Sequence, residues 1–254
     1  MFIILYYNNK SMKAIRIILA GLRNADKTYK LINRGDKIVV GISGGKDSLV
    51  LFYALTLYQR FQHTDFKLYP VMIDLGFPNF RADKVKKWVK KLGYDLIIND
   101  STSVYPILKA NQKEKKHLPC SICSRMKKAI MNAIAHEVKA NKVAFAHHID
   151  DAAETLFMNI FYAGKIATFE PKMHLSRENV DFIRPLIFSK EKDIARCARE
   201  EKMPVTKSNC PADKLTTRKE IKDWLASISK NNKLISKNIY TALKNEEQVL
   251  LWKK

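Results

Sequence analysis

The chain has 254 residues, with 46 Lys and Arg against 25 Asp and Glu, giving a formal charge of +21 and a sequence pI near 9.8. Its 46% hydrophobic content can build a substantial core, which excludes a disordered chain, and eight Gly and eight Pro exclude collagen-like or low-complexity architecture. Four Cys are too sparse for a disulfide scaffold, and the charge points to a polyanionic partner, with nucleic acid ahead of an anionic membrane surface.

The apolar start, Met1 to Tyr7, is far shorter than the roughly 20 residues a membrane helix needs. It also lacks the basic n-region and small-residue cleavage site of a signal peptide. Met12 is a second candidate start. With no longer apolar run, the expectation is a cytoplasmic protein with no membrane partner.

From Ser11 to Ile32 the spacing of Ile15, Ile18, Leu19 and Leu22 predicts an amphipathic helix with a basic outer face. Arg34-Gly35-Asp36 turns the chain into a β-branched run, Lys37 to Ile42, read as a buried strand. A Gly-rich turn leads to a helix carrying Leu49, Val50, Phe52, Tyr53 and Leu57. A second strand spans Lys67 to Ile73 and ends at Asp74-Leu75-Gly76. A basic helix from Arg81 to Leu92, a third strand from Asp95 to Ile98 and a polar Lys-rich stretch from Asp100 to Leu118 follow. A helix from Ser121 to Lys139, a fourth strand from Lys142 to Ala146 and a helix from Asp151 to Phe161 come next. Beyond Ala163 the pattern weakens: Phe182 to Leu186 reads as a last strand, and Glu191 to Lys202 and Thr217 to Ser227 as helices. Alternation at this spacing predicts an α/β fold, a parallel sheet with helices on both faces. The segments are residues 1–35, a basic helical extension; 36–190, the α/β domain; and 191–254, a C-terminal helical region.

Ser43-Gly44-Gly45-Lys46-Asp47-Ser48 sits between a buried strand and a helix. Gly lets the backbone aim successive N–H groups at one point, and the helix N-terminus adds positive potential. Lys46 supplies a cation, and Ser43 and Ser48 supply hydroxyl donors. This is chemistry for a phosphate or pyrophosphate. It is neither a Walker A loop nor a G-x-G-x-x-G fingerprint, and the bland alternative is an ordinary βα turn.

His147, His148, Asp150 and Asp151 follow the fourth strand. The carboxylates suit Mg²⁺ on nucleotide phosphates, or one of them N-caps the next helix with Thr155 solvated. The His pair either contacts phosphate or nucleic acid, or packs. Asp74 is a ribose or adenine neighbour, or the cap of a turn.

Cys120-Ser121-Ile122-Cys123 puts two thiols on one turn, and Cys210-Pro211 adds a third further along. Arg125, Lys127 and Lys128 favour thiolate over thiol. Cys197 shares the apolar side of a helix with Ile194 and Ala198 and reads as core. Spacing alone leaves four readings open: a cluster with one open iron, a structural zinc site completed by a His such as His117, a dithiol redox pair, or chance.

Basic residues are spread rather than confined to a tail. Arg81 to Lys91 has six against one acidic residue, Leu108 to Lys128 seven against one, and residues 1–35 seven against one. Such faces are often merely solvated, but they also suit tRNA phosphates bound in a salt-dependent way.

Ser43 to Ser48 resembles the pyrophosphate loop of the PP-loop ATPase superfamily. Cys120 to Arg125, Ala146 to Leu156, Arg184-Pro185-Leu186 and Cys210-Pro211 appear in the order of its TtcA-like, tRNA 2-thiocytidine synthetase family, from about Lys30 to Trp224. The resemblance implies a five-stranded parallel sheet of the adenine nucleotide α-hydrolase type, with N- and C-terminal helical extensions and ATP at the carboxyl ends of the strands. It implies ATP-dependent thiolation of C2 of a tRNA cytidine, at position 32 of the anticodon loop, with ATP, Mg²⁺ and a [4Fe–4S] cluster as cofactors. Under it, Cys120, Cys123 and Cys210 hold the cluster. Lys46, Asp47, Asp150 and Asp151 form the catalytic set, and Ser43, Gly44, Gly45, Lys46, Ser48, Asp74 and His147 contact nucleotide. The expected partners are tRNA and a sulfur donor such as a cysteine desulfurase or free sulfide, with a homodimer as the candidate assembly. The alternatives are a lysidine-synthetase type of ligase, thiolation of a uridine, and a basic RNA-binding protein with structural zinc.

Overall fold

The computed structural model describes residues 13–62, 65–112, 118–212, 216–232 and 234–245, with single positions 247, 249 and 251. The expectations for Met1 to Tyr7, for Met12 as a start and for His117 as a ligand lie outside these residues. The chain falls into two compact units, Met1–His148 with Pro171–Asp213, and Ile149–Glu170 with Lys214–Lys254.

In the first unit, α1 (Lys13–Tyr29) buries Ala14, Ile15, Ile18, Leu22 and Ala25, the stripe that the helical period predicts. It leads into β1 (Lys37–Gly41) and α2 (Lys46–Gln62), then β2 (Lys67–Asp74), α3 (Asp83–Lys91) and β3 (Ile97–Asp100). Next come α4 (Val104–Ala110), α5 (Cys120–Glu137) and β4 (Lys142–Ala144). Past the second unit's α6 (Ile149–Ala163), the chain returns as β5 (Lys172–Leu175), β6 (Val180–Ile183) and α7 (Glu191–Glu200).

The six strands lie in the order β3-β2-β1-β4-β6-β5. Five of them, β3, β2, β1, β4 and β6, are parallel, as expected. The sixth, β5, corrects the five-strand expectation: it pairs antiparallel with β6 and closes the edge as a hairpin. Asp181 on β6 fastens the hairpin, 3.2 Å from Lys172 Nζ and 2.8 Å from His174 Nδ1.

Strand side chains alternate between faces. Val39, Val71, Val143 and Phe182 pack with Met131, Ile134 and Ala135 of α5 on one face. On the same strands Ile38 and Val40 are buried with opposite pleat, while α2 packs with α1 and α7. The strand order runs outward in both directions from β1 and β4. That pair is the switch point at which open α/β sheets place ligands, outside the carboxyl ends.

The second unit holds α6, α8 (Thr217–Asn231) and α9 (Leu234–Ala242), which pack on one another. Thr216 caps α8 by accepting the Lys219 N–H at 3.3 Å. Phe157 and Phe161 of α6 each meet Trp224 of α8 edge-on, with ring centroids 5.2 Å apart. Among the described residues, no helix is long and apolar enough to cross a membrane.

Candidate active site

The loop after β1 lies between a buried strand and a helix, as the sequence predicts. Ile42 N–H donates to the Val71 carbonyl at 2.7 Å, so the chain leaves the sheet one residue past β1. Ser48 Oγ then closes the turn, donating to the Gly45 carbonyl at 2.9 Å and accepting the Ser43 N–H at 3.1 Å. Ser43 Oγ lies 3.2 Å from Ser48 Oγ and accepts the Gly45 N–H at 3.3 Å. Gly44 adopts φ +81°, and a Cβ there would drive into Thr206 Oγ1. The close approach is real packing, since Thr206 N–H donates to the Gly44 carbonyl at 2.9 Å.

Lys46 opens α2 and is held between two carboxylates. Its Nζ is 3.1 Å from Asp47 Oδ1 and 3.0 Å from Glu191 Oε1. Burial pulls its pKa down, but Asp47 and Glu191 together outweigh burial and hold the ammonium above its ordinary value. Buried His148, carried just beyond β4, brings Nε2 to 3.7 Å from Asp47 Oδ1. The two strands of the switch point therefore contribute to one polar cluster, from Glu191 through Lys46 and Asp47 to His148. His147 instead sets its ring 5.9 Å from that of Phe145.

Asp74 ends β2 beside Asp100 of β3, at the same edge of the sheet. Its Oδ1 accepts the Gly76 N–H at 2.9 Å, so the turn-capping role is present. Gly76, at φ +79°, lies against the backbone of Thr102.

Asp150 and Asp151 belong to the second unit. Helix α6 begins at Ile149, so both sit inside its first turn, where carboxylates complement the helix dipole. This corrects the N-cap alternative. Tyr240 Oη donates to Asp150 Oδ1 at 2.7 Å, and Arg218 reaches Asp151 at 3.4 Å and Glu154 at 3.5 Å. Thr155 is not merely solvated, since its Oγ1 accepts from Arg218 Nη2 at 3.1 Å.

Cys120 and Cys123 lie on the first turn of α5, with Cys120 exposed. Cys123 and Cys210 both pack against the small core of Leu75, Val104, Leu108, Leu118 and Ala212. Burial raises the Cys123 pKa; Lys127 opposes this, and the neighbouring Cys210 and Cys120 add to it. Cys120 thus shares a helical turn with Cys123, and Cys123 shares a core with Cys210. Basic residues do not make Cys123 a ready thiolate, because burial outweighs Lys127. Among the described residues, no three His, Cys, Asp or Glu side chains stand in ready metal-holding geometry. Cys197 is fully buried in α7, as its apolar face predicts.

Three contributors to these clusters escape sequence reading: Glu191, Arg218 and Tyr240. Each meets its partner across 63 or more residues of chain, a distance that leaves no local pattern.

A family model described as the PP-loop domain matches residues 20–227. The chain is similar to the tRNA-cytidine(32) 2-sulfurtransferase of Geobacter metallireducens, 33% identical over 237 residues, which cover 92% of this chain and 91% of that protein. The enzyme of the same name from Geotalea daltonii is 36% identical over 224 residues, covering 85% of this chain and 86% of that protein. Among solved structures, the U34-tRNA thiolase NcsA from Methanococcus maripaludis, with its [4Fe–4S] cluster, matches with a TM-score of 0.72 and 25% identity. That match covers 98% of this chain and 86% of that one.

Proposed function

The chain belongs to the PP-loop family of tRNA-cytidine(32) 2-sulfurtransferases, and on that premise we propose that it is an ATP-dependent tRNA thiolase acting on a cytidine of the anticodon loop. The observation that carries the reading is that Cys123 and Cys210 pack against one small core, with Cys120 on the same helical turn as Cys123, in the same compact unit as the phosphate loop. A PP-loop ligase that uses an amine nucleophile has no need of three neighbouring thiols.

The donor set fits an iron–sulfur cluster. Thiols are soft ligands, and Leu75, Leu118 and Ala212 give Cys123 and Cys210 an apolar surround, with Cys120 at the exposed rim. Cys120, Cys123 and Cys210 would hold a [4Fe–4S] cluster by three irons. When bound, such a cluster supplies a fourth iron with an open position for sulfur.

The chain's own residues supply the rest. ATP sits on Ser43, Gly44, Gly45 and Ser48, with Lys46 compensating phosphate charge and Asp47 at its side. Asp74 and His147 are the candidate neighbours of the nucleoside, and Asp150 and Asp151 the candidate Mg²⁺ ligands. Cytosine O2 attacks the α-phosphorus, pyrophosphate leaves, and a sulfur nucleophile then displaces AMP from C2. The basic surface meets the tRNA phosphates. The sulfur comes from a donor such as a cysteine desulfurase or free sulfide, the assembly is a homodimer, and the setting is the cytoplasm.

Mass spectrometry of tRNA nucleosides tests this in a host lacking its own thiolases, with and without the protein. New 2-thiocytidine supports the proposal. New 2-thiouridine keeps the chemistry and moves the base, the outcome that the likeness to a U34-tRNA thiolase favours. No new thionucleoside in cells holding iron-loaded protein would reject it.

A further inference from the structure

We propose that Glu191 is a positioning residue for the loop lysine, holding the Lys46 ammonium in the direction from which it serves the phosphates of ATP. The proposal rests on reading the loop as an ATP site.

Lysine is a point charge on a flexible four-carbon stem. Lys46 also stands at the start of α2, where the helix dipole is positive and disfavours a cation. Its local partner is the adjacent Asp47, 3.1 Å from Nζ, but residues adjacent on a helix do not face each other, and that contact alone leaves the long stem free to swing. Asp47 supplies charge from the same turn. Glu191 supplies it from another helix, 145 positions along the chain, at 3.0 Å.

Glu191 is itself well held. It opens α7, where a carboxylate complements the helix N-terminus. Ile194, Cys197 and Ala198 bury the inner face of α7, which packs against α1 and α2. At the far end of α7, Tyr53 Oη of α2 donates to Glu201 Oε2 at 3.1 Å. Just beyond, Thr206 is bonded to Gly44 of the loop. Helix α7 is thus registered against α2 at both ends, and it delivers the Glu191 carboxylate from a rigid element. An ammonium has three N–H donors. Asp47 of its own helix and Glu191 of α7 take two, which leaves the third for a phosphate oxygen to accept. The titratable groups around Lys46 are Asp47 on α2, Glu191 on α7 and, beyond Asp47, His148 after β4.

The test compares Glu191→Gln and Glu191→Asp with the parent in the full-length, cluster-loaded protein. ATP–pyrophosphate exchange with tRNA gives kcat and the KM for ATP. Amine acetylation of Lys46 at a fixed alkaline pH, followed by peptide mass spectrometry, reports the contact without any turnover. Glu191→Gln should lower kcat about 10- to 100-fold, the scale of a misplaced catalytic group, with a much smaller change in KM. It should also label several-fold faster at Lys46. Glu191→Asp should recover part of kcat and label like the parent. Unchanged kcat in Glu191→Gln, or equal Lys46 labelling in all three proteins, overturns the proposal. So does a common loss in both variants that tracks a lowered Tm. If the parent itself shows no exchange, the ATP-site reading fails, and the labelling still decides whether Glu191 holds Lys46.

Discussion

Lys142 Nζ lies 2.6 Å from Asp36 Oδ2, with the two side chains only 2% and 5% exposed. The pair joins the turn before β1 to the start of β4, at the opposite end of the sheet from the phosphate loop. Its hydrogen bonds are also met: Lys142 donates to the Leu31 carbonyl at 2.7 Å, and Asp36 accepts from Asn33 N–H at 2.6 Å and Asn141 Nδ2 at 2.8 Å. Removing one partner strands the other charge away from water. Lys142→Ala and Asp36→Ala should each cost about 3–5 kcal/mol in urea unfolding. Lys142→Met with Asp36→Leu should cost much less than the two single changes together. Single variants within about 0.5 kcal/mol of the parent would remove the pair's structural importance.

Gly44 and Gly35 separate backbone strain from loop damage. Both have positive φ, +81° and +84°, but a Cβ at Gly35 meets nothing within 4 Å, whereas one at Gly44 meets Thr206. Each change to Ala should lose about 1–2 kcal/mol of stability from backbone conformation. Only Gly44→Ala should also push the loop from its partner and weaken ATP binding by more than about tenfold, or 1.4 kcal/mol. Calorimetric titration with ATP reads the second effect, and equal ATP affinity in the two variants would show that the Thr206 contact does not shape the site.

Cys197 links stability to alkaline pH. Burial, aided by Glu201 and Glu200, pushes its thiol up to about 12. An unfolded thiol titrates near pH 8.5. Between those values the unfolded chain releases a proton that the folded chain keeps, so the unfolded state binds fewer protons and stability falls as pH rises. The slope from this group approaches about 1.4 kcal/mol per pH unit. Cys197→Ala loses some packing at every pH, but its stability should decline less steeply above about pH 9. Parallel curves for parent and variant would contradict the assignment.

The legible parts of this chain are those written in neighbouring residues. Val39, Val40 and Ile42 mark a buried strand, and Gly44-Gly45 a turn, without help from elsewhere. Helix α4 is hidden because it is only seven residues long, only Val104 and Leu108 turn inward while Ile107 faces out, and Pro106 argues against a helix. Strand β5 is hidden because it is a four-residue edge strand: Met173 and Leu175 do alternate with Lys172 and His174 and pack on the core, but so short a run carries little signal in sequence. The site follows the same rule. Its loop reads directly, whereas Glu191 and Thr206 reach it only through the packing of α7 and the strand-to-helix connections. The Cys123 thiol shows a related gap: its basic neighbours are visible in sequence, but its burial against Leu75 and Leu118 comes from folding.

The two chemistries of the proposed function lie on separate supports. Lys46 stands between Asp47 and Glu191 at the end of β1, while Cys123 and Cys210 pack into the small core beside α4. No residue is shared between these two sets of contacts. Lys46→Ala should therefore abolish ATP–pyrophosphate exchange and leave iron content and the visible absorbance of the loaded protein unchanged. Cys210→Ala should lose iron while ATP affinity stays within about threefold, or 0.7 kcal/mol, of the parent. Iron analysis and ATP titration on the same preparations give all four values. Full iron and full thiolation in Cys210→Ala would end the three-cysteine model. Loss of both properties in either variant would mean that one folding unit carries them together, and the separation argued from the contacts would fall.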